Sequence, residues 1–596
     1  MKQLLGKAQD PAFWASVRED EMYRPWIREL LTRWGSEKSN DIPLLTYSAF
    51  RRYALDGDRY TYEKPYFIRR CAMNTAAVLA LIYPEQEEYL ARLMDLIYAI
   101  CDEYTWCLPA HQPESDKNNN CYIDLFAAET GMCLSEIYTL LSDRLEPLIA
   151  DRIRVEVDRR IIRPFTAPTH YWWETSTNNW AAVCAGSVSC TVMLMRPDLM
   201  PSLEDRFCTT MNIFLSGFGP DGVCEEGFHY WTYGFGFFTV WADMIRNFTD
   251  GRIDFFRQEQ TKRAAPFLSR MYLSEGCTVS FSDSGQSGFY TPSVLHYLKN
   301  EYPDTVALPD PAYTELMDGC GRWCYFLRNF TWLKAEYLSS ATSGDTDLVY
   351  YAPSPNWLIV RKAAYGFAAK GGHNAELHNQ HDVGSFILAK NGRQMLTDPG
   401  RGVYTRQYFT NERYTYVSCG SHGHSVPYFG TDEDRAKKDF FYGYQKDGAD
   451  FRAKNVSFDP ATSTLTMDLA PAYGEAFVHQ ILRRFTLDEA GFTLRDEFHV
   501  DDGVPVTERI VSMSHFQTGE GWATTDLVTL TFDPTLYQVT TSTGDFQPKH
   551  PVYFLDLRLK AGVTACEIRA SVQNAEAPAP ADIPPHNTSE QGDSIL

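Results

Sequence analysis

Residues 371–392 read GGHNAELHNQHDVGSFILAKNG, a polar segment that changes abruptly into an apolar run. The polar part holds three histidines and two acidic residues: His373, Glu376, His378, His381 and Asp382. The apolar run ends in Asn391-Gly392, which is typical of a two-residue hairpin turn because both positions tolerate positive φ. The stretch therefore predicts a loop followed by a β-hairpin. Either the loop is an ordinary histidine-rich surface segment, or it forms the rim of a reaction site.

Short strands are predicted on both sides of this hairpin. Leu465, Met467 and Leu469 alternate with polar neighbours, and a period of two is typical of a strand with one buried face. Similar runs, bounded by turn residues, occur throughout the second half of the chain. We predict an antiparallel β-sandwich domain over residues 326–573. The Pro- and Ala-rich tail, residues 574–596, predicts a disordered end.

The first half of the chain has the periodicity of helices. In YLARLMDLIYAICDEY, residues 89–104, the apolar positions recur at the spacing of one helix face. Several similar stripes follow, separated by Pro, Gly and Asn and without a strand signal between them. We predict an all-helical domain over residues 1–325, built as a solenoid or as a closed toroid.

The bulk composition narrows the function classes. A formal net charge of −22 argues against a nucleic acid or an anionic membrane as partner, because phosphate binding needs clustered Lys and Arg. The N-terminal segment lacks the apolar core of a secretory signal, and the longest apolar stretch, residues 76–83, is too short to span a bilayer. Fourteen cysteines without CxxC pairs are typical of reduced thiols. These features predict a cytoplasmic protein.

Two motifs in the helical half carry candidate site residues. TSTNNWAAVCAG places Asn178 and Asn179 just before a helix, where asparagine is a common N-cap. DGVCEEGFHYWTYGFG holds Tyr230 and Tyr233, although aromatic and glycine clusters also occur in ordinary loop packing. Each motif taken alone has an ordinary structural explanation.

Two motifs in the β half hold residues of the types that bind metals. LTDPG supplies Asp398 and SCGSHGHSVP supplies His424. Aspartate and histidine from neighbouring strands can form a zinc-type site, but scattered pairs are more often hydrogen-bonded surface groups.

The order of the segments NNW, DG…EEG…YWTYG, HN…HD-VGSFIL, DPG and GHSVP resembles the heparinase II/III-like family of polysaccharide lyases. The resemblance covers roughly residues 40–570 and is most specific from Gly371 to Pro427. It implies an incomplete (α/α) toroid followed by an antiparallel β-sandwich, with the substrate cleft between them.

The resemblance also implies roles for single residues. Tyr230 matches the tyrosine that acts as catalytic acid and is also open to the role of base, and Tyr233 is a competing candidate because it directly precedes a glycine. Asn179 matches the asparagine that neutralises the substrate carboxylate, although Trp180 stands where the family often has histidine. His378 matches the first histidine of an H-N-H-N-D run and would be the base or a carboxylate clamp.

A cluster of arginines in GRGVYTRQYFTNERYTY is a second source of substrate contacts. Arg401, Arg406 and Arg413 could grip carboxylates or sulfates and favour ionisation of a catalytic tyrosine. A solvated loop face is the equally simple alternative. We expect Arg406 and Arg413, together with Trp180 and Tyr233, to bind substrate.

The resemblance further implies a metal site with Asp398 and His424 as ligands. The family's second histidine falls on Gln380, whose neutral amide oxygen is a weak donor for zinc. Three alternatives stay open: His381 takes over the role, the site holds a harder ion such as Mn²⁺ or Ca²⁺ in place of zinc, or it holds no metal.

The function expected from these residues is β-elimination on uronate-containing oligosaccharides or polysaccharides, glycosaminoglycan-like or alginate-like, giving 4,5-unsaturated uronate ends. The expected partner is an acidic oligosaccharide, with a homodimer left open. A first rival is an unsaturated-uronyl hydrolase that uses Asp221 and Asp283 as its carboxyl pair. A second rival is a glycan-binding protein that keeps the fold without catalysis.

Overall fold

A computed structural model describes residues 3–37, 41–113, 115, 119–338, 347–547 and 550–573. The predicted tail, residues 574–596, lies outside these described residues. The helices of the first half are α1 Pro11–Glu19, α2 Arg24–Glu37, α3 Tyr47–Phe50, α4 Arg52–Asp56, α5 Tyr60–Ile82, α6 Glu87–Cys101, α7 Leu125–Leu141, α8 Pro147–Val157, α9 Arg163–Thr166, α10 Asn179–Met195, α11 Met200–Ser216, α12 Phe228–Phe248, α13 Glu259–Ala264, α14 Phe267–Arg270, α15 Pro292–Glu301, α16 Trp323–Thr331 and α17 Ala335–Leu338.

The second half, as far as the structure describes it, is built mainly from strands, with short helices between some of them. The strands within the described residues are β1 Tyr272–Ser274, β2 Cys277–Thr278, β3 Leu348–Ala352, β4 Trp357–Lys362, β5 Tyr365–Lys370, β6 His373–Asn374, β7 Phe386–Lys390, β8 Arg393–Leu396, β9 Tyr428–Phe429, β10 Gly448–Arg452, β11 Lys454–Asp459, β12 Thr464–Asp468, β13 Val478–Leu487, β14 Gly491–Val500, β15 Val506–Ser512, β16 Gln517–Gly519, β17 Trp522–Thr524, β18 Val528–Thr531, β19 Tyr537–Gln547, β20 His550–Leu559 and β21 Ala565–Val572. The α-helices among these short helices are α18 Asp432–Lys437 and α19 Ala470–Tyr473.

The helical half is an (α/α) toroid with α10 at its centre. This helix packs against α7, α11 and α12, and it is buried on every face from residue 181 to residue 193. Its small residues permit this: a Cβ at Gly186 would lie 3.4 Å from Trp241 Cβ on α12. Burial on all sides is expected of a helix at the core of a large domain.

The β half consists of antiparallel sheets. Eight strands pair in the order β11-β12-β13-β14-β21-β18-β17-β16, five in the order β3-β4-β5-β7-β8 and four in the order β19-β20-β15-β9. Asn391 and Gly392 join β7 to β8 with φ values of 50° and 72°, as the hairpin prediction requires. The predicted class, a helical toroid followed by an antiparallel β-sandwich, is confirmed.

The junction between the halves differs from the pattern seen in the sequence. Strands β1 and β2 lie within the first half of the chain, where no strand signal was expected, and β1 packs against β4, β5 and β7. Residue 325 falls inside α16, and the described helices continue to Leu338 before β3 begins at Leu348. The segment 272–291 therefore packs against the sandwich, while its buried residues share the hydrophobic core of the helical half.

No helix among the described residues is both long enough and apolar enough to cross a membrane.

Candidate active site

Tyr230 and His378 meet at the boundary between the toroid and the sandwich. Tyr230 lies in the first turn of α12, and His378 lies in the segment between β6 and β7. Their rings stack with centroids 4.0 Å apart and planes 24° apart. His378 has a φ of 57°, a left-handed conformation that is uncommon for a residue other than glycine and is found where surrounding contacts enforce it. The two predicted catalytic residues therefore share one site.

Asp283 is the buried carboxylate that holds the side chains of this site together. Its carboxylate accepts hydrogen bonds from His378 Nδ1 at 2.6 Å, from the hydroxyls of Tyr408 at 2.6 Å and Tyr404 at 3.1 Å, and from Arg413 at 3.1 Å. The side chain is fully buried. Although burial opposes ionisation, the hydrogen bond from His378 and the charge of Arg413 hold the pKa of Asp283 well below its usual range. Asp283 is therefore a buried carboxylate whose oxygens already accept hydrogen bonds from neighbouring side chains.

The hydroxyl of Tyr230 lies next to a second tyrosine. It is 2.7 Å from the hydroxyl of Tyr404, which itself donates to Asp283. Burial, and then the negative charge of Asp283, raise the pKa of Tyr230 above its ordinary value. The phenol is consequently protonated at neutral pH and holds a proton that it can give.

Asn179 reaches the same site from α10. Asn178 is the N-cap, since its side chain accepts a hydrogen bond from Trp180 N at 3.1 Å, and Asn179 is the first residue of the helix. A Cβ on Gly234 would lie 3.1 Å from both Cα and Cβ of Asn179. Because Gly234 is one helical turn after Tyr230 on α12, the missing side chain lets Asn179 approach the helix that carries the tyrosine.

The amide of Asn179 is available for a ligand. No hydrogen bond of this side chain to another described residue is present, and its backbone N–H donates to Glu226 Oε1 at 3.1 Å. The other oxygen of Glu226 is buried without a hydrogen-bond partner and lies 3.6 Å from His378 Nε2. Burial raises the pKa of Glu226 to about 7. Glu226 was not predicted as a site residue, and it connects Asn179 to His378.

Tyr233, the competing candidate for the acid, is occupied elsewhere. Its hydroxyl donates to the carboxylate of Glu129, and the guanidinium carbon of Arg322 lies 3.9 Å from the centre of its ring. The side chain is buried. These contacts belong to the interior of the toroid, whereas Tyr230, one turn earlier on the helix, faces His378.

The predicted arginines are distributed differently from the expectation. Arg413 forms an ion pair with Asp283, so its charge compensates the negative charge of that carboxylate. Arg406 is exposed, and its nearest hydrogen-bond acceptor is the backbone oxygen of Ala54 at 3.5 Å. Arg401 lies over the ring of Tyr404 at 5.1 Å and has no ion-pair partner among the described residues. Of the three, Arg401 is therefore the one whose charge is available beside Tyr230 and Tyr404.

Trp180 belongs to an aromatic group next to Asn179. Its ring is 5.0 Å from that of Trp172 and 5.0 Å from that of His111. Trp172 is 51% exposed, so this group presents an open aromatic face of the kind that stacks on sugar rings.

A buried cluster of three residues can hold a metal ion. Asp382, Asp398 and His424 each offer one ligand atom, and these atoms lie within 4.8 Å of one another. Nδ1 of His424 lies 3.2 Å from Oδ2 of Asp398, and Nε2 of His424 is buried without a hydrogen-bond partner. Lys370 Nζ lies 2.8 Å from Asp382 and neutralises part of the negative charge. Two carboxylates and an imidazole fit zinc or a harder divalent ion, and the unpaired Nε2 of His424 fits a missing ligand partner.

Gln380 and His381 are not among these three residues, although Oε1 of Gln380 and both ring nitrogens of His381 are also buried without a hydrogen-bond partner. The amide nitrogen of Gln380 donates to the backbone oxygens of Ser282 at 2.6 Å and Gly400 at 3.3 Å. The ring of His381 stacks on Tyr414 at 3.7 Å. The third residue of the cluster is Asp382, next in sequence to His381. Its position directly before the buried run VGSFIL was the available signal.

The carboxyl pair of a hydrolase is not formed by the two candidates. Asp283 is ionised and enclosed by hydrogen-bond donors, and Oδ2 of Asp221 accepts a hydrogen bond from Ser354 N at 2.6 Å. A glycosidase needs one carboxyl group that holds a proton for the leaving group. Asp283 does not meet that requirement.

Comparison with known proteins gives a likeness in structure only. No model of a protein family matches the sequence, and no curated protein sequence matches it. A heparinase III, the BT4657 gene product, superposes with a TM-score of 0.59 at 12% identity, covering 93% of this chain and 85% of that chain. A second heparinase III gives 0.60 at 13%, covering 86% and 77%. The Streptomyces coelicolor A3 chondroitin AC lyase in complex with chondroitin sulphate gives 0.56 at 10%, covering 95% and 82%.

Proposed function

We propose that this protein is a polysaccharide lyase that cleaves uronate-containing glycans by β-elimination. The chain has the fold of heparinase III and chondroitin AC lyase along nearly its whole length. The observation that carries the proposal is the stacking of Tyr230 on His378, and Asn179 supports it because its Cα and Cβ lie against Gly234, one helical turn after Tyr230. A phenol, an imidazole and a free amide from both halves of the molecule then surround one substrate position.

The chemistry needs a base, an acid and a group that neutralises a carboxylate. Removing the proton on C5 of a uronate creates an enolate-like dianion, so hydrogen-bond donors must face the carboxylate oxygens. The bond from C4 to O4 then breaks, C4 and C5 become doubly bonded, and O4 takes up a proton. The Asn179 amide supplies donors without losing a proton itself, and Arg401 adds a positive charge nearby.

His378 fits the base and Tyr230 fits the acid. The hydrogen bond from His378 Nδ1 to Asp283 keeps the proton on that nitrogen and leaves the lone pair on Nε2 for the substrate. Tyr230 has a raised pKa and so keeps its proton until O4 leaves. The proton taken by His378 and the proton given by Tyr230 balance each turnover, and solvent restores both groups.

The test follows absorbance of the 4,5-unsaturated uronate during incubation with heparan sulfate, hyaluronan, chondroitin and alginate. We expect new absorbance with at least one substrate. Tyr230→Phe and His378→Ala should each reduce turnover by about 10²–10⁴-fold, the usual contribution of a general acid or base. Tyr233→Phe is the matched control and should keep most activity. Near-normal turnover of Tyr230→Phe with loss in Tyr233→Phe would transfer the acid role to Tyr233.

Other outcomes of the same assay point to other functions. Loss of absorbance from oligosaccharides that are already unsaturated would indicate a hydrolase. Binding of a glycan without any change in absorbance would indicate a non-catalytic binding protein. Either result would overturn the lyase proposal.

We further propose that Asp382, Asp398 and His424 hold one divalent cation. Such an ion would crosslink the segment before β7 to the loops after β8 and around His424, which stabilises the β-side wall of the site. Elemental analysis of the purified protein should find about one equivalent of zinc, manganese or calcium. His424→Ala should lose it and Tm should fall on chelation, whereas wild-type protein without bound metal and insensitive to chelator would refute the site.

A further inference from the structure

The segment between β8 and β9 runs from the sandwich to the N-terminal helices of the toroid. We call residues 399–416 the cleft loop. At its start, Arg401 N donates to Ser284 O at 3.1 Å, which fixes the loop beside Asp283. Tyr404 then reaches the hydroxyl of Tyr230 at 2.7 Å. The first part of the loop is thus attached to the catalytic residues.

The next part of the cleft loop contacts the N-terminal helices. The side chain of Arg406 points to Ala54 O on α4 at 3.5 Å. A Cβ on Gly57, whose φ is 79°, would lie 3.0 Å from Arg406 Cβ, so this glycine leaves room for the loop to pass. The guanidinium carbon of Arg59 lies 5.9 Å from the ring centre of Phe409. The loop therefore spans from α12 to the start of α5.

A series of side-chain contacts connects the start of α5 to the residue that follows Asn179. Arg59 lies 3.2 Å from His111 Nε2, and the ring of His111 is 5.0 Å from that of Trp180, which follows Asn179 in sequence. The site is consequently bounded by α12, α10, the start of α5 and the cleft loop. Exposed Trp172, packed on Trp180, marks the side that remains open.

We propose that the cleft loop makes this enzyme exolytic, so that it removes units from a chain terminus. This inference rests on the lyase function proposed above. An endolytic cleft must be open at both ends because the polymer runs through it. Here Arg406 and Phe409 join the two halves across one end, and the aromatic face of Trp172 and Trp180 receives the chain from the other end.

The experiment measures product length at low conversion of a polymeric substrate that gives absorbance in the panel. We expect the smallest unsaturated product from the first time point, with only a slow fall in the mean length of the polymer. A ladder of intermediate sizes at the start of the reaction would overturn the exolytic inference while leaving the lyase function intact. Absence of absorbance with every substrate would overturn the lyase function first.

A double variant in the cleft loop tests whether this loop is the cause of exolytic cleavage. Arg406→Ala combined with Phe409→Ala removes the contacts across the closed end, and the fraction of intermediate-length products should rise several-fold. Phe440→Ala, at an exposed aromatic residue outside the cleft loop, is the matched control and should leave the product profile unchanged. An unchanged profile in the double variant would refute the role of the loop even if the wild type is exolytic.

Discussion

Asp283→Asn is the substitution that tests the site most directly, because it removes one charge and almost no volume. The carboxylate receives hydrogen bonds from His378, Tyr404, Tyr408 and Arg413, and a longer one from Gln380 at 3.5 Å. An asparagine keeps one acceptor oxygen and presents an amide that cannot accept. At least one of these donors must lose its partner.

The stability cost follows from the buried cation that is left behind. The side chain of Arg413 is only 13% exposed and has Asp283 as its ion-pair partner among the described residues. Removing one member of a buried ion pair typically costs about 3–5 kcal/mol, because the remaining charge is uncompensated. At roughly 2–4 °C per kcal/mol for a domain-sized unit, Tm should fall by about 6 °C or more.

The activity cost follows from the orientation of His378. Without the carboxylate, the imidazole is free to turn or to place its proton on Nε2, where the substrate needs a lone pair. We expect turnover to fall by about 10²–10⁴-fold, the range seen when a general base is disabled. KM should change less than kcat, since Asn179 and the aromatic face at Trp180 are left in place.

The assays are a thermal melt and initial rates, with Asp526→Asn as the control. Asp526 pairs with Arg393 at 3.0 Å on the surface, where both side chains are more than half exposed, and such a pair contributes at most about 1 kcal/mol. Adding Arg413→Gln to Asp283→Asn should recover part of the lost Tm but not the turnover. Wild-type turnover and Tm in the single variant would refute the anchoring role.

Three further predictions concern packing and charge. Gly234→Ala should lower Tm and turnover, because the new Cβ would lie only 3.1 Å from Asn179 and reduce the free energy of unfolding by about 1–3 kcal/mol. Gly35→Ala is the control: it has open space around it and should raise Tm slightly. The pKa of Glu226 is raised from 4.5 to about 7. The protonated Glu226 therefore contributes fully to the free energy of unfolding below pH 4.5, and this contribution is lost as pH rises through 7. Urea melts of wild type and Glu226→Gln from pH 5 to 8 should diverge in that window. Arg483→Met should lower the Tm of the sandwich by leaving two buried carboxylates unpaired, which differential scanning calorimetry can measure.

The fold was largely predictable because its signals are local. Helical and strand periodicities separate the two halves, and Asn391-Gly392 marks the β7–β8 hairpin. The strands β1 and β2 were not predicted, since strands of three and two residues are too short to show a periodic pattern of apolar side chains. Their pairing is stabilised by the sandwich that they pack against, and that contact lies far away in sequence.

The site was predictable only where a motif had a known counterpart. The resemblance brought together Tyr230, His378 and Asn179; the structure stacks Tyr230 on His378 and places Asn179 against Gly234, one helical turn after Tyr230. Asp283 could be considered only as a hydrolase acid, because its actual partners lie 95 to 130 positions away in sequence. Nothing in the residues around Asp283 indicates that contact. Similarly, the sequence does not show that Asp382 lies near Asp398 and His424 while the ring of its neighbour His381 stacks on Tyr414.

Asp283 also explains why the two halves must act as one unit. It is contributed by the segment after β2, which precedes the last helices in sequence, yet the donors it binds come from the β half. Tyr230 is carried by α12 and touches the same group through Tyr404. Any relative movement that separates the toroid from the sandwich therefore breaks the contact between acid and base before it unfolds either domain. Activity should accordingly be lost at a lower denaturant concentration than secondary structure.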